Sequence, residues 1–180
     1  MKKLIIIRGP SGCGKTTISG EVARELSKRI KKLVLVPVDL SFAKMIYNLK
    51  ENYNRKSSEL SQKNTESLVN NFLNYGYTVI AEGLFYKTYN GKNSLEQLIK
   101  IGKKNKVKVF VIDLVCDLEL VLKRIGLRSK NNPNHDNSKE RATKRYSLFM
   151  RKKYSNAYSI DLNKKSKEEV IEEILGVIEK

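Results

Sequence analysis

Apolar residues recur along this chain in two alternating patterns. A continuous apolar run occurs at 3–8 (KLIIIR), further strand-like segments at 33–38 (LVLVPV), 77–81 (YTVIA) and 106–115 (KVKVFVIDLV), and a fifth short one around 158–162 (YSIDL). Short runs rich in β-branched residues predict strands buried on both faces. Between them the apolar spacing becomes three or four residues, the period of an amphipathic helix. Ile18, Val22, Leu26 and Ile30 form one such stripe, and Val170, Ile171, Ile174, Leu175 and Ile178 form another within 167–179. Further helices are expected over 42–49, 67–75, 94–104, 118–125 and 140–154. In the second of these Leu68, Val69, Phe72 and Leu73 are expected to face inward, and Gly76 to act as its C-cap. Asp117 is a natural N-cap for the helix that follows it. The polar stretch 51–62 reads as a loop or mobile lobe, and 131–138 (NNPNHDNS) as a turn-rich loop. Five strands alternating with helices predict an α/β domain around a five-stranded parallel sheet.

With 180 residues, one domain over 1–180 is expected. No apolar run approaches a membrane span, and the run at 4–7 is too short for a signal peptide. Two cysteines, Cys13 and Cys116, make no disulfide framework, so a cytoplasmic location is expected. The net charge of +17 suggests a polyanion, yet 27 of the 36 cations are Lys and 9 are Arg. Arginine is the residue suited to bidentate phosphate recognition, so the excess of lysine leaves nucleic acid possible rather than required. Lysines at 28–32, 103–108 and 152–153 are expected to lie away from any cleft.

One segment carries specific chemistry. Residues 9–16 (GPSGCGKT) match G-x-x-x-x-G-K-[ST] between a predicted strand and a predicted helix. Gly9, Pro10, Ser11, Gly12, Cys13, Gly14, Lys15, Thr16 and Thr17 are therefore the expected nucleotide-binding residues. Glycines let successive N–H groups point at phosphate oxygens, and the helix beginning at Lys15 presents its positive end there. Lys15 can reach the β- and γ-phosphates, and the Thr16 hydroxyl can bind Mg²⁺. ATP and Mg²⁺ are the expected cofactors. Cys13 reads as a small side chain at a variable position of the motif, with a reactive thiol as the sharper alternative.

Other residues bear on what happens to the triphosphate. A guanine-reading N-K-x-D motif is missing, since Asn163-Lys164-Lys165-Ser166 lacks the Asp, and no apolar strand ends in Asp-Glu as in a ring ATPase. Asp39 follows the second strand, where a carboxylate can accept the proton of an attacking hydroxyl or cap the helix near Ser41. Glu82 ends the third strand and can order Mg²⁺ or serve as a structural loop carboxylate. Arg124 and Arg128, four residues apart, project together and can stabilise the transferring phosphoryl group, or lie on a solvated face. Arg141 and Arg145 repeat the spacing. His135, the single histidine, has no metal-spaced partner.

Taken together, the phosphate loop, Asp39, the segment Gly76-x-x-Val79-Ile80-x-Glu82-Gly83, Arg124-x-x-x-Arg128 and Ile160-Asp161 resemble the small P-loop kinases of the polynucleotide kinase, gluconate kinase, chloramphenicol phosphotransferase and zeta toxin kind. The resemblance implies a three-layer α/β/α P-loop NTPase fold with a helical lid at about 124–140 and an acceptor-side helical segment at about 41–75. It implies transfer of the γ-phosphate of ATP to a hydroxyl, with Lys15, Asp39, Arg124 and Arg128 catalytic, Thr16 and Glu82 at the metal, and 160–165 near the adenine. The phage polynucleotide kinase pattern Asp-x-x-Arg is Asp39-Leu40-Ser41-Phe42 here. A small acceptor such as a nucleoside, sugar or antibiotic therefore leads. A polynucleotide 5′-hydroxyl is the alternative, and a nucleotide-binding regulatory or toxin-like module with little turnover is the reading from another class.

Overall fold

A computed structural model describes residues 2–38, 55–131, 139–152 and 154–180. Strands β1 (Lys3–Arg8), β2 (Leu33–Pro37), β3 (Thr78–Gly83), β6 (Lys108–Val115) and β7 (Tyr158–Asp161) form one sheet in the order β2-β3-β1-β6-β7. Every pairing in it is parallel, in the registers Pro37↔Glu82, Arg8↔Gly83 and Arg8↔Asp113. The C-terminal ends of the three central strands thus lie side by side, on the edge where open parallel sheets bind ligands. Helices α1 (Lys15–Ser27), α2 (Arg55–Asn74), α3 (Ser94–Lys104), α4 (Leu118–Asn131), α5 (Lys139–Arg151) and α6 (Lys167–Glu179) connect and cover the strands. None of the described helices is long and apolar enough to cross a membrane.

Two buried clusters explain the three layers. Ile5 and Ile7 face Ile18, Val22 and Leu26 of α1 and Val170, Ile174 and Ile178 of α6. Leu4 and Ile6, one residue out of phase, face Val69 and Leu73 of α2 and Leu95 and Leu98 of α3. Each such side chain contributes about 1.5–3 kcal/mol on burial. The expected five-stranded α/β/α architecture is observed.

The structure changes the reading of 51–62, because α2 already begins at Arg55. Its inward stripe there is polar: Gln62, Thr65 and Ser61 are 7%, 1% and 9% exposed. Thr65 Oγ1 donates to the Ser61 carbonyl at 2.9 Å and Ser61 Oγ to the Val38 carbonyl at 3.3 Å, so burial there is satisfied by hydrogen bonds. Hydrophobic periodicity cannot reveal such a face. The stripe continues through Val69 and Leu73, which leaves Leu68 37% exposed rather than inward. Gly76 does end α2, at φ 84°, with Tyr77 N–H bonded to the Phe72 carbonyl and Gly76 N–H to the Leu73 carbonyl, a Schellman arrangement. The fourth main strand starts at Lys108 because Lys106, at φ 52°, breaks extension. The segment 88–93 contains a further element, a hairpin of β4 (Thr88–Tyr89) and β5 (Lys92–Asn93). Asn90 and Gly91 make its turn, both with positive φ. The basic helix expected over 140–154 runs Lys139–Arg151. The 42–49 helix, most of the 131–138 loop and His135 lie outside the described residues.

Candidate active site

The loop between β1 and α1 is built by close packing. A Cβ on Gly9 would lie 2.7 Å from Cys13 Sγ and 2.9 Å from the Leu114 carbonyl oxygen. One on Gly12 would lie 2.9 Å from Ile125 of α4, and Gly12 and Gly14 hold φ values of 88° and 103°. The left-handed conformations at Gly12 and Gly14 are those a phosphate-cradling backbone requires. Cys13 N–H closes a turn onto the Pro10 carbonyl at 3.3 Å. Lys15, 7% exposed, donates from Nζ to that carbonyl at 3.1 Å, so its ammonium is folded over the loop. Ser11 is half-buried, while Thr16 and Thr17 are exposed at the mouth.

Glu82 is 4% exposed at the end of β3, and Thr16 Oγ1 donates to its Oε2 at 3.4 Å. The two residues named as metal candidates are thus neighbours across the β1–β3 edge. Arg124 of α4 donates from Nη1 to the Cys13 carbonyl, bringing its charge to the phosphate loop. Arg128 lies on the same helix, with its side chain outside the described part, and Asp39 is also outside it. Cys13 points into the core at 0% exposure, and burial raises its pKa against the pull of Lys15 and Arg124. This favours the inert thiol over the reactive one.

A cavity of about 330 Å³ opens beside the loop, between Gly12, Gly14 and Arg124 on one side and Leu162, Lys165 and Val170 on the other. Its far wall is the β7–α6 connection, which is tied down at both ends: Asn163 Oδ1 accepts from Asp117 N–H, at the start of α4, at 2.9 Å, and Ser166 and Glu169 form a capping box. Leu127 also lines this cavity and is 56% exposed.

Sequence reasoning overlooked several residues at this edge. Arg8 and Asp113, each 1% exposed, form a two-pronged ion pair at 2.6 and 2.9 Å. Arg8 also donates to the carbonyls of Phe85 and Lys152 at 3.5 and 3.3 Å and lies 5.3 Å from the Phe149 ring centre. It therefore ties β1 to β6, to the loop after Glu82 and to the end of α5. Phe85 in that loop holds φ 44°, an uncommon value for a bulky residue. Lys152, expected away from the cleft, instead donates from Nζ to the Tyr86 carbonyl at 3.2 Å and belongs to this edge. On the α2 side Lys87 Nζ donates to Ser58 Oγ at 2.7 Å, and Ser58 shares a 2.6 Å hydrogen bond with Tyr89 OH. A charge directly after a run of apolar residues towards the end of a strand, as at Arg8 and Asp113, is the signal that was available.

A family model described as an AAA domain matches residues 4–152, from the first strand through α5. The chain belongs to that family. Its AAA domain is similar in fold, along nearly its whole length, to solved structures that include kinases. The tunicamycin resistance protein of Deinococcus radiodurans superimposes with a TM-score of 0.65 at 15% identity, covering 99% of this chain and 96% of that one. The Mycobacterium tuberculosis APS kinase, solved in complex with AMPPNP and APS, has a TM-score of 0.67 at 14% identity, covering 99% and 98%. A gluconokinase from Sinorhizobium meliloti 1021 has a TM-score of 0.65 at 12% identity, covering 97% and 90%. No curated protein matches the sequence. The AAA domain here thus has the small P-loop kinase fold that the motifs implied.

Proposed function

We propose that the protein is an ATP-dependent kinase that moves the γ-phosphate of ATP to a hydroxyl of a small molecule. The observation that carries this reading is the 3.4 Å contact of Thr16 and Glu82 at the root of the glycine cradle. A hydroxyl and a carboxylate are the oxygen donors that Mg²⁺ prefers, and the ion carried with ATP would neutralise charge on the β- and γ-phosphates. The loop amides and Lys15 would hold the triphosphate, with the nucleobase in the cavity between Arg124 and Leu162. Arg124 and Arg128 would stabilise the phosphoryl group in transit. Asp39 follows Pro37, whose register partner is Glu82. We assign it as the base: the acceptor oxygen bonds to phosphorus, the bond to ADP breaks, and the hydroxyl proton goes to Asp39. The acceptor would lie against the Phe85–Tyr86 loop, Lys87, Ser58 and Tyr89, a group of aromatic rings, hydroxyls and an ammonium suited to a polar small molecule. Two free buried cysteines suit a reducing cytoplasm.

The test is label transfer from γ-labelled ATP to nucleosides, sugars, hydroxylated antibiotics and 5′-hydroxyl oligonucleotides. Asp39→Asn should lower turnover at least a hundredfold with nearly unchanged ATP affinity. An unchanged rate would reduce Asp39 to a helix cap. ATP binding without transfer to any acceptor would favour a nucleotide-binding module.

A further inference from the structure

The sheet edge opposite the phosphate loop concentrates the charge that the active site leaves unused. Strands β2, β3, β1 and β6 are neighbours in that order and begin at Leu33, Thr78, Lys3 and Lys108. Lys3 is the register partner of Lys108, and Lys3 N–H donates to Thr78 Oγ1, so these starts form one row. The segments leading into the row are KK at 2–3, KRIKK at 28–32, YGY at 75–77 and KKNKVK at 103–108. They hold two, four, none and four cations respectively, ten in all, and no Asp or Glu.

Part of this charge has local work. Lys2, Lys3 and Lys32 donate to the carbonyls of Leu73, Ile178 and Tyr75 at the ends of α2 and α6. Lys28 pairs with Glu25 and Arg29 with Glu179. Lys31, Lys103, Lys104, Lys106 and Lys108 are exposed and form no ion pair among the described residues. Of these five, Lys103 and Lys104 stand in the last turn of α3 and Lys108 lies over the Phe110 ring, yet all five keep their charge exposed on one edge, a positive field that attracts an anionic chain. In the same row Tyr75 is 77% exposed, beside Lys32. A flat ring amid lysines fits an anionic chain whose bases can be turned outward and stacked.

We propose that this strand-entry edge docks single-stranded nucleic acid through its phosphodiester backbone, with a base stacked on Tyr75. The strand would lie about 17 Å from the phosphate loop, the length of β1 at about 3.3 Å per residue. Docking is therefore independent of the kinase reading and of the acceptor pocket.

Fluorescence anisotropy of the full chain with labelled 30-nucleotide single strands, one RNA and one DNA, at 100 mM KCl tests this. Binding of either probe should be indifferent to saturating AMPPNP, and the tighter probe identifies the preferred sugar. Replacing Lys31, Lys103, Lys104 and Lys108 together by Glu should weaken binding at least tenfold. It should also flatten the log–log salt slope by about 3, at roughly 0.7 for each phosphate that is no longer neutralised. A matched variant with Glu at Lys63, Lys123, Lys144 and Lys164 removes the same net charge elsewhere and should retain most of the affinity. Tyr75→Ala should cost about tenfold. The proposal is overturned by absence of binding to both probes, by displacement with AMPPNP, or by equal losses in the two fourfold variants. A Tyr75→Ala protein that binds as tightly as the parent overturns the stacked single strand.

Discussion

Removing Asp113 probes how the C-terminal edge of the sheet is assembled. The Asp113 carboxylate takes two hydrogen bonds from Arg8, at 2.6 and 2.9 Å, and both side chains are 1% exposed. Asp113→Ala leaves the guanidinium buried with, among the described residues, the carbonyls of Phe85 and Lys152 and the Phe149 ring for company. Breaking a buried pair from one side costs about 3–5 kcal/mol. At about 2–4 °C per kcal/mol for a chain of this size, the melting temperature should fall by about 6–20 °C. Arg8→Met combined with Asp113→Leu removes both charges and fills the space, so the double variant should melt near or above the parent. Guanidinium chloride unfolding followed by circular dichroism would measure all three proteins. A single variant within about 1 kcal/mol of the parent would refute the reasoning. So would a double variant as unstable as the single one, because packing rather than uncompensated charge would then be at stake.

Two further outcomes follow from the same site. Burial, with Cys13 adding to it, pushes the Cys116 thiol from 9.0 up to about 12. The folded protein then holds a proton that the unfolded chain releases, so this stabilisation is complete below about pH 9 and declines between about pH 9 and 12. Cys116→Ala should flatten the alkaline fall in unfolding free energy, and parallel pH profiles for parent and variant would contradict the shift. Arg124→Ala removes the donor to the Cys13 carbonyl and one wall of the cavity. Titration with a fluorescent ATP analogue should show affinity about tenfold weaker, as expected for one charged hydrogen bond, and an unchanged constant would take Arg124 out of the site.

The central strands were legible because they are buried on both faces, so that hydrophobicity and strand coincide at 3–8 and over 108–115, whereas β2 at 33–37 is mostly half-buried and was marked by its Leu- and Val-rich run. The phosphate loop was legible because its glycines are required by backbone geometry, which leaves a spacing that packing alone does not produce. Helix α2 was read short because Ser61, Gln62 and Thr65 bury polar groups by bonding to backbone or neighbouring side chains. The β4–β5 hairpin was signalled by Asn90-Gly91, but its strands are only two residues each, too short for alternation. Arg8 and Asp113 lie 105 residues apart, and only the register between β1 and β6 pairs them. The hydrogen-bonded group of Lys87, Ser58 and Tyr89 is likewise created by the meeting of α2 with the hairpin. Contacts of this kind depend on tertiary arrangement, which local pattern does not contain.

The central claim is phosphoryl transfer from a nucleotide held by the β1–α1 loop. The most direct measurement compares the parent and Lys15→Ala for transfer of label from γ-labelled ATP to a hydroxyl acceptor in the presence of Mg²⁺. The account predicts labelled product with the parent and a loss of at least a hundredfold with Lys15→Ala, in proteins of equal thermal stability. A Lys15→Ala protein that transferred phosphate as fast as the parent would contradict it.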